Sequence, residues 1–209
     1  MNNKIWDISP ILHAGFPVWP GDTPFQSATT WEMTDGCPVK VSRITMSTHT
    51  GAHCDAPSHY GANAKSIDEV SLEPYIGPCR VIHLQGTRVV DVADLHPFLE
   101  HLPQRLLIRT YQNTPGYWDS TFASISAAAI HLLADHGVML IGIDTPSLDP
   151  EQSKTLAAHR AVEARGMAIL EGIVLDAVSA GDYELIALPL KFAGLDASPV
   201  RAILRQPAG

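Results

Sequence analysis

Positive charge is scarce in this sequence: Lys and Arg number 14 against 22 Asp and Glu, for a formal charge of −8, and no basic run occurs. That excludes the electrostatic footprint of a nucleic-acid-binding domain and offers little attraction to an anionic membrane. Cysteine is scarcer still. Cys37, Cys54 and Cys79 are odd in number and form no CxxC pattern, so no disulfide framework is expected. Long apolar runs are missing too. A membrane helix needs about 18 apolar residues, and the run 137–143, bounded by His136 and Asp144, falls far short. The opening residues MNNKIWDISP lack the charged-then-apolar order of a signal peptide. No GxSxG elbow is present, which argues against a serine hydrolase. These absences predict a cytoplasmic protein with neither nucleic acid nor membrane as partner. Apolar residues make up 45% and charged residues 17% of 209, which fits a single globular domain over 1–209 with a sizeable core.

What the chain does have is histidine in one place. The stretch 47–60, STHTGAHCDAPSHY, holds three of the ten histidines, with an aspartate, a cysteine, a glycine and a proline. Imidazole nitrogen and carboxylate oxygen are ligands for a borderline divalent cation such as zinc. Gly51 and Pro57 spoil a helix here, so the stretch reads as the end of a strand running into a tight loop. On an extended chain His53 and Asp55, two apart, share a face. Cys54 between them points the other way and reads as a small buried filler.

Around this loop the segments 4–9, 79–84, 106–109, 138–143, 167–171, 184–192 and 200–205 read as strands. Residues 25–33 and 39–48, joined by a turn at 34–38, read as a β-hairpin that delivers the metal loop. Helices are predicted at 91–102, capped by Asp91 and kinked at Pro97, at 126–136, capped by Ser126 and ended by Gly137, and at 151–163. A single helical turn is expected near 67–72 and another at 174–178. Loop 10–24 is rich in proline and glycine and carries Trp19; loop 111–122 carries Tyr117 and Trp118. The sum is an α/β domain with a mixed sheet, β-rich in its N-terminal half and more helical afterwards.

The run His49-Thr50-Gly51-Ala52-His53-Cys54-Asp55-Ala56-Pro57-Ser58-His59 resembles the HTGxHxDAPxH signature of the cyclase-like metal hydrolases. Pro17-Val18-Trp19-Pro20-Gly21-Asp22 and Gly142-Ile143-Asp144-Thr145-Pro146-Ser147 are similar to motifs of the same family, in matching order. Within it the chain looks most like the bacterial kynurenine formamidases (arylformamidases). The resemblance implies a swivelling β/β/α fold and hydrolysis of N-formyl-L-kynurenine in tryptophan degradation. It also implies two zinc ions per chain, with manganese as an alternative.

By the same resemblance His159 and Glu171 join His49, His53 and Asp55 as ligands, and Trp19 faces an aromatic substrate. From the residues alone Glu163, four after His159 on a helix, rivals Glu171. Glu171 is preferred because it closes an otherwise apolar strand, where a carboxylate needs a partner. His59, four residues past Asp55, suits general acid–base work beside the metals. Two other readings compete: hydrolysis of a cyclic amide such as isatin by the same loop, and a non-catalytic metal site. The aromatic, Pro-rich N-terminal segment points to a homodimer.

Overall fold

The computed structural model describes residues 4–207. In chain order its strands begin with β1 (Ile5–Asp7), β2 (Gln26–Trp31), β3 (Val41–Thr45), β4 (His53–Asp55), β5 (Ile76–His83), β6 (Val89–Val90) and β7 (Arg105–Arg109). They continue with β8 (Ser124–Ile125), β9 (Leu140–Ile143), β10 (Ala168–Glu171), β11 (Gly181–Ile186), β12 (Ala197–Pro199) and β13 (Ile203–Arg205). Nine of them form one sheet in the order β1-β13-β11-β5-β7-β9-β10-β4-β12. Its centre, β5-β7-β9-β10, is parallel, and both flanks are antiparallel. This is the mixed α/β sheet the sequence predicts.

The continuous apolar runs lie where both faces are covered. Along β7, Leu106 and Ile108 turn to one face, where Ile141, Ile143 and Ile169 meet Ile130, Leu133, Ala158 and Val162. Those last four come from α2 (Ala127–Asp135) and α3 (Ala157–Arg165). Leu107 and Leu170 point the opposite way, into a second cluster with Ile8, Val81, Tyr75, Leu185 and Leu204. The strand period of two thus divides one run of residues between two cores.

Helix α2 begins where expected: the Ser126 hydroxyl accepts the Ala129 N–H at 3.0 Å, and Gly137 ends the helix at φ +82°. Asp91 does cap α1 (Val92–Leu95), in a reciprocal box with Asp94. The helix stops there, because Pro97 turns the next three residues, His96–Phe98, into a 3-10 turn. Helix α3 starts six residues later than the expected 151. Residues 174–178 make only a turn closed by the Val178 N–H on Leu175 O; near 67–72 one turn forms at 67–69, closed by the Glu69 N–H on Ser66 O, and a 3-10 turn at Glu73–Tyr75 follows it. The strand expected at 184–192 runs Gly181–Ile186 instead, and Ala197–Pro199 forms a further strand just before the one expected at 200–205. Pro199 is tolerated there because β12 is an edge of the sheet.

The hairpin β2–β3 forms as predicted, with a bridge between Thr34 and Cys37. It does not belong to the main sheet, and every residue of both strands is exposed. The metal motif is therefore not carried by β3: residues 46–52 are a loop, and the motif continues into β4, a buried strand of the main sheet.

Candidate metal centre

The site grows from strand register. In β4, His53 and Asp55 face the helical side, while buried Cys54 joins the opposite core. Glu171 is the antiparallel partner of His53 across β10, and directly opposed residues share a face. Helix α3 packs over the same face and lowers His159 onto it. His49 comes from the loop before β4. Gly172 permits this closeness: at φ +64° it ends β10, and a Cβ there would lie 2.3 Å from the Gly51 carbonyl oxygen. Any side chain would push the Glu171 strand away from the His49–His53 loop.

The five predicted ligands come together. His53 Nε2 lies 3.4 Å from Asp55 Oδ1 and 3.3 Å from Glu171 Oε2. His159 Nε2 lies 3.4 Å from Asp55 Oδ2 and 3.5 Å from Glu171 Oε1. His49 Nδ1 is 3.1 Å from Asp55 Oδ1. Asp55 therefore turns one oxygen towards His49 and His53 and the other towards His159. Glu163 is exposed and stands against Gly61 instead. His59 is close enough to share an ion with His49 and Asp55, and its ring centroid is 4.2 Å from that of His49.

These donors fit a cation. His53, Asp55, His159 and Glu171 are each 2% exposed or less. His53 Nε2 and both Asp55 oxygens have no hydrogen-bond partner. A buried carboxylate with neither partner nor cation is costly. His53 Nδ1 is 2.9 Å from the Gly51 carbonyl oxygen; donating there fixes the tautomer and leaves Nε2 bare.

Electrostatics say the same. Burial works against a charged His49 and a charged His159, yet neighbouring carboxylates overcome it. Asp55 and Asp196 raise His49 to about 9. Asp149 and Asp55 raise His159 to about 10. Asp55 is opposed by burial too, but the adjacent His159 and His49 imidazoles hold it well below the ordinary carboxylate range. The cluster demands positive charge, which protons supply when no cation does.

Two carboxylates here escaped sequence analysis. Asp149 Oδ2 accepts His159 Nδ1–H at 2.7 Å, and its oxygens take the N–H groups of Ala158 and His159 at 3.1 Å each. One side chain thus starts α3 and orients its histidine, the outer partner a metal-bound imidazole usually has. Asp149→Ala is expected to weaken metal affinity about 10–100-fold by chelator competition, with Asp149→Asn, which keeps an acceptor, losing less. Unchanged affinity in the alanine variant would refute this role. Asp196 Oδ2 lies 3.1 Å from His49 Nε2 and 3.6 Å from His59 Nδ1. It sits in the turn before β12, 147 residues from His49, with no local signal.

The cluster opens into a cavity of about 750 Å³. His49, His59, His159 and Glu171 line its floor, and loops 10–24 and 111–122 form its walls. Trp19, 36% exposed, packs edge-on against Trp118 at 5.3 Å and Phe122 at 6.1 Å. The Trp118 indole N–H donates to Glu151 at 2.8 Å. Trp118 was read only as a loop aromatic; it lines the cavity together with His13, to which the sequence gives no role.

Asp144 anchors one wall. Its carboxylate accepts Thr110 N–H, Tyr111 N–H and the Thr110 hydroxyl at 2.8, 2.9 and 2.7 Å. Burial nevertheless pushes its pKa from 3.8 to about 6. The folded chain thus holds this proton more tightly than the unfolded chain. The group's contribution to stability is full below about pH 4 and is lost as pH rises through about 6. Asp144→Asn can meet the same three groups, its amide N–H donating to the Thr110 oxygen. It is expected to fold and to flatten the pH 4–6 slope, by on the order of 2 kcal/mol, in urea unfolding series. An unaltered slope would place the titration elsewhere.

Comparison with known proteins accords with this architecture. A family model, Cyclase ("Putative cyclase"), matches residues 6–150. The chain belongs to the Cyclase family. Among solved structures it is similar to a "potential metal-dependent hydrolase with cyclase activity", at 26% identity and a TM-score of 0.87 over 99% of this chain and 100% of that one. It is also similar to a "predicted metal-dependent hydrolase" from Bacillus stearothermophilus, at 27% identity and a TM-score of 0.83, over 99% and 100%. Isatin hydrolase A from Labrenzia aggregata shares the fold at 22% identity and a TM-score of 0.83, over 99% and 94%. No helix among the described residues is long and apolar enough to cross a membrane.

Proposed function

We propose that the chain is a metal-dependent amidohydrolase that converts N-formyl-L-kynurenine to L-kynurenine and formate. His49, His53, Asp55, His159 and Glu171 would hold two divalent ions, zinc by the donor set, with manganese also suited to it. The split orientation of the two Asp55 oxygens supports a pair. When bound, such ions polarise a carbonyl and lower the pKa of water.

In this reading His59 carries the proton. Burial lowers its pKa, so the neutral ring is available near pH 7 to take a proton as water adds to the formyl carbon. It then delivers that proton to the departing arylamine nitrogen, and formate leaves. Asp196, 3.6 Å from Nδ1, favours the transient imidazolium and leaves Nε2 for the transfer.

The observation that carries the proposal is that one cavity joins the ligand cluster to an aromatic wall. A flat anilide ring gains about 0.5–1.5 kcal/mol from aromatic contacts beyond simple burial. Trp19→Ala is therefore expected to raise KM several-fold, with metal content and circular dichroism unchanged; an unaltered KM would remove Trp19 from the substrate site. The test of the reaction compares formylkynurenine, formanilide and isatin at matched metal loading. A highest kcat/KM for isatin would install the cyclic-amide reading, which the fold shared with isatin hydrolase A keeps in view.

We also propose that a second copy of the chain covers hairpin β2–β3. Trp31, Met33, Val39 and Ile44 in and beside it are 45–66% exposed, and a two-stranded ribbon without a core beneath it is marginal alone. Sedimentation of a monomer at micromolar concentration would contradict this.

A further inference from the structure

The cavity has an unbalanced set of charges. Asp22, Asp119, Asp144 and Glu171 line it, and among the described residues no lysine or arginine does. Residues 1–3 and 208–209 contain neither type. Arg43 and Lys65, which flank the metal loop in sequence, stay outside. A substrate entering this space therefore meets no cationic side chain of this chain to neutralise a carboxylate placed away from the metal cluster.

The four carboxylates are not equivalent. Glu171 belongs to the ligand cluster, with Oε1 also taking the Leu148 N–H at 2.7 Å. Asp144 is buried and accepts three hydrogen bonds. Asp119 accepts the Thr121 N–H and hydroxyl at 2.9 and 2.8 Å on one oxygen, and the Tyr111 hydroxyl at 3.2 Å on the other. Asp22 is exposed, and only its Oδ1 is engaged, by the Thr23 N–H. It lies three residues past Trp19 on the same turn, closed by its own N–H on the Trp19 carbonyl at 2.9 Å, with Gly21 at φ +88°. The turn that carries the aromatic wall also carries a carboxylate with an oxygen to spare.

We infer that this cavity selects aryl amides whose substituent distal to the scissile bond is neutral or cationic, and that Asp22 is the residue that favours the cation. The inference rests on the aryl-amide reading of the site and adds the charge class of its substrate. Two independent features act together. Carboxylates at the wall raise the local concentration of cations, and the aromatic rings of Trp19 and Trp118, which both line the cavity, attract a cation but not an anion. For an amino-acid tail, the consequence is that recognition falls on the ammonium group while the α-carboxylate turns to solvent.

The test holds the reacting bond constant and varies only the distal charge. Metal-loaded enzyme is assayed with 4-(aminomethyl)formanilide, formanilide and 4-carboxyformanilide, each rate normalised to alkaline hydrolysis of the same compound. The expected kcat/KM order is cation, neutral, anion, in steps of about two- to fivefold, the scale of a solvent-exposed ion pair. The spread should shrink in 0.5 M salt, on the order of a twofold shortening of the screening length or more. Asp22→Asn should bring the cation-to-neutral ratio towards one.

Binding of the same three compounds, read by tryptophan quenching, gives the charge order without turnover. If none is hydrolysed but the cation binds best, the formamidase reading fails and the charge selectivity stands. If the anion binds or reacts best, or the ratios equal one, the inference is overturned whatever the activity. A cation preference that survives intact in Asp22→Asn overturns the assignment to Asp22.

Discussion

Asp55→Ala is expected to empty the metal centre and remove the activity with it. No other side chain touches as much of the cluster: its two oxygens lie 3.1 Å from His49, 3.4 Å from His53 and 3.4 Å from His159. Fully buried and without hydrogen-bond partners, the carboxylate is tolerable only beside positive charge. Deleting it leaves Glu171 alone between His53 and His159 and removes the carboxylate contact that ties in His49. The loss of metal affinity should exceed the roughly 10–100-fold typical of residues outside the ligand set. Elemental analysis after gel filtration reads this directly, and a variant that retained its full metal complement would show that Asp55 is not a ligand.

The second large effect differs in kind. His59→Ala should keep the metal and lose about 10²–10⁴ in kcat, the usual contribution of a positioned acid–base group. The distinction matters because His59 stands near enough to His49 and Asp55 to share an ion with them. Its side chain is 34% exposed, however, whereas those of His53 and His159 are 2% exposed. A group that must exchange protons with substrate and solvent needs that access; a buried ligand does not. Loss of metal in this variant would make His59 a ligand, and an unchanged kcat would leave it without a role in the chemistry.

The parts of this site that were legible in the sequence are those set by local geometry. His53 and Asp55 share a face because strand periodicity requires it, and Cys54 points into the other core for the same reason. Glu171 could be preferred over Glu163 because a carboxylate ending an apolar strand needs a partner. Its antiparallel register with His53 supplies that partner. What could not be read depends on contacts between distant segments. Asp196 reaches His49 across 147 residues. Asp149 caps α3 with its side chain from eight positions before Ala157, so the residues 151–156 that looked helical are left outside the helix.

The hairpin offers a complementary case. Its strands were found from composition, but their apolar residues did not separate cleanly onto one face. The structure gives the reason: no core of this chain lies beneath either face. The cavity walls, similarly, come from two loops about 90 residues apart. Their aromatic residues carry no periodic pattern, so only folding shows that Trp19 and Trp118 meet.

The proposed activity depends above all on the five-residue cluster being a two-ion hydrolytic centre. Its most direct test is calorimetric titration of the chelator-stripped chain with zinc, followed in parallel by hydrolysis of formylkynurenine. Two equivalents bound, with protons released as the ions displace them from His49 and His159 and with activity appearing as the sites fill, is the predicted result. Saturation at a single equivalent, no binding at all, or full activity in the stripped chain would contradict it.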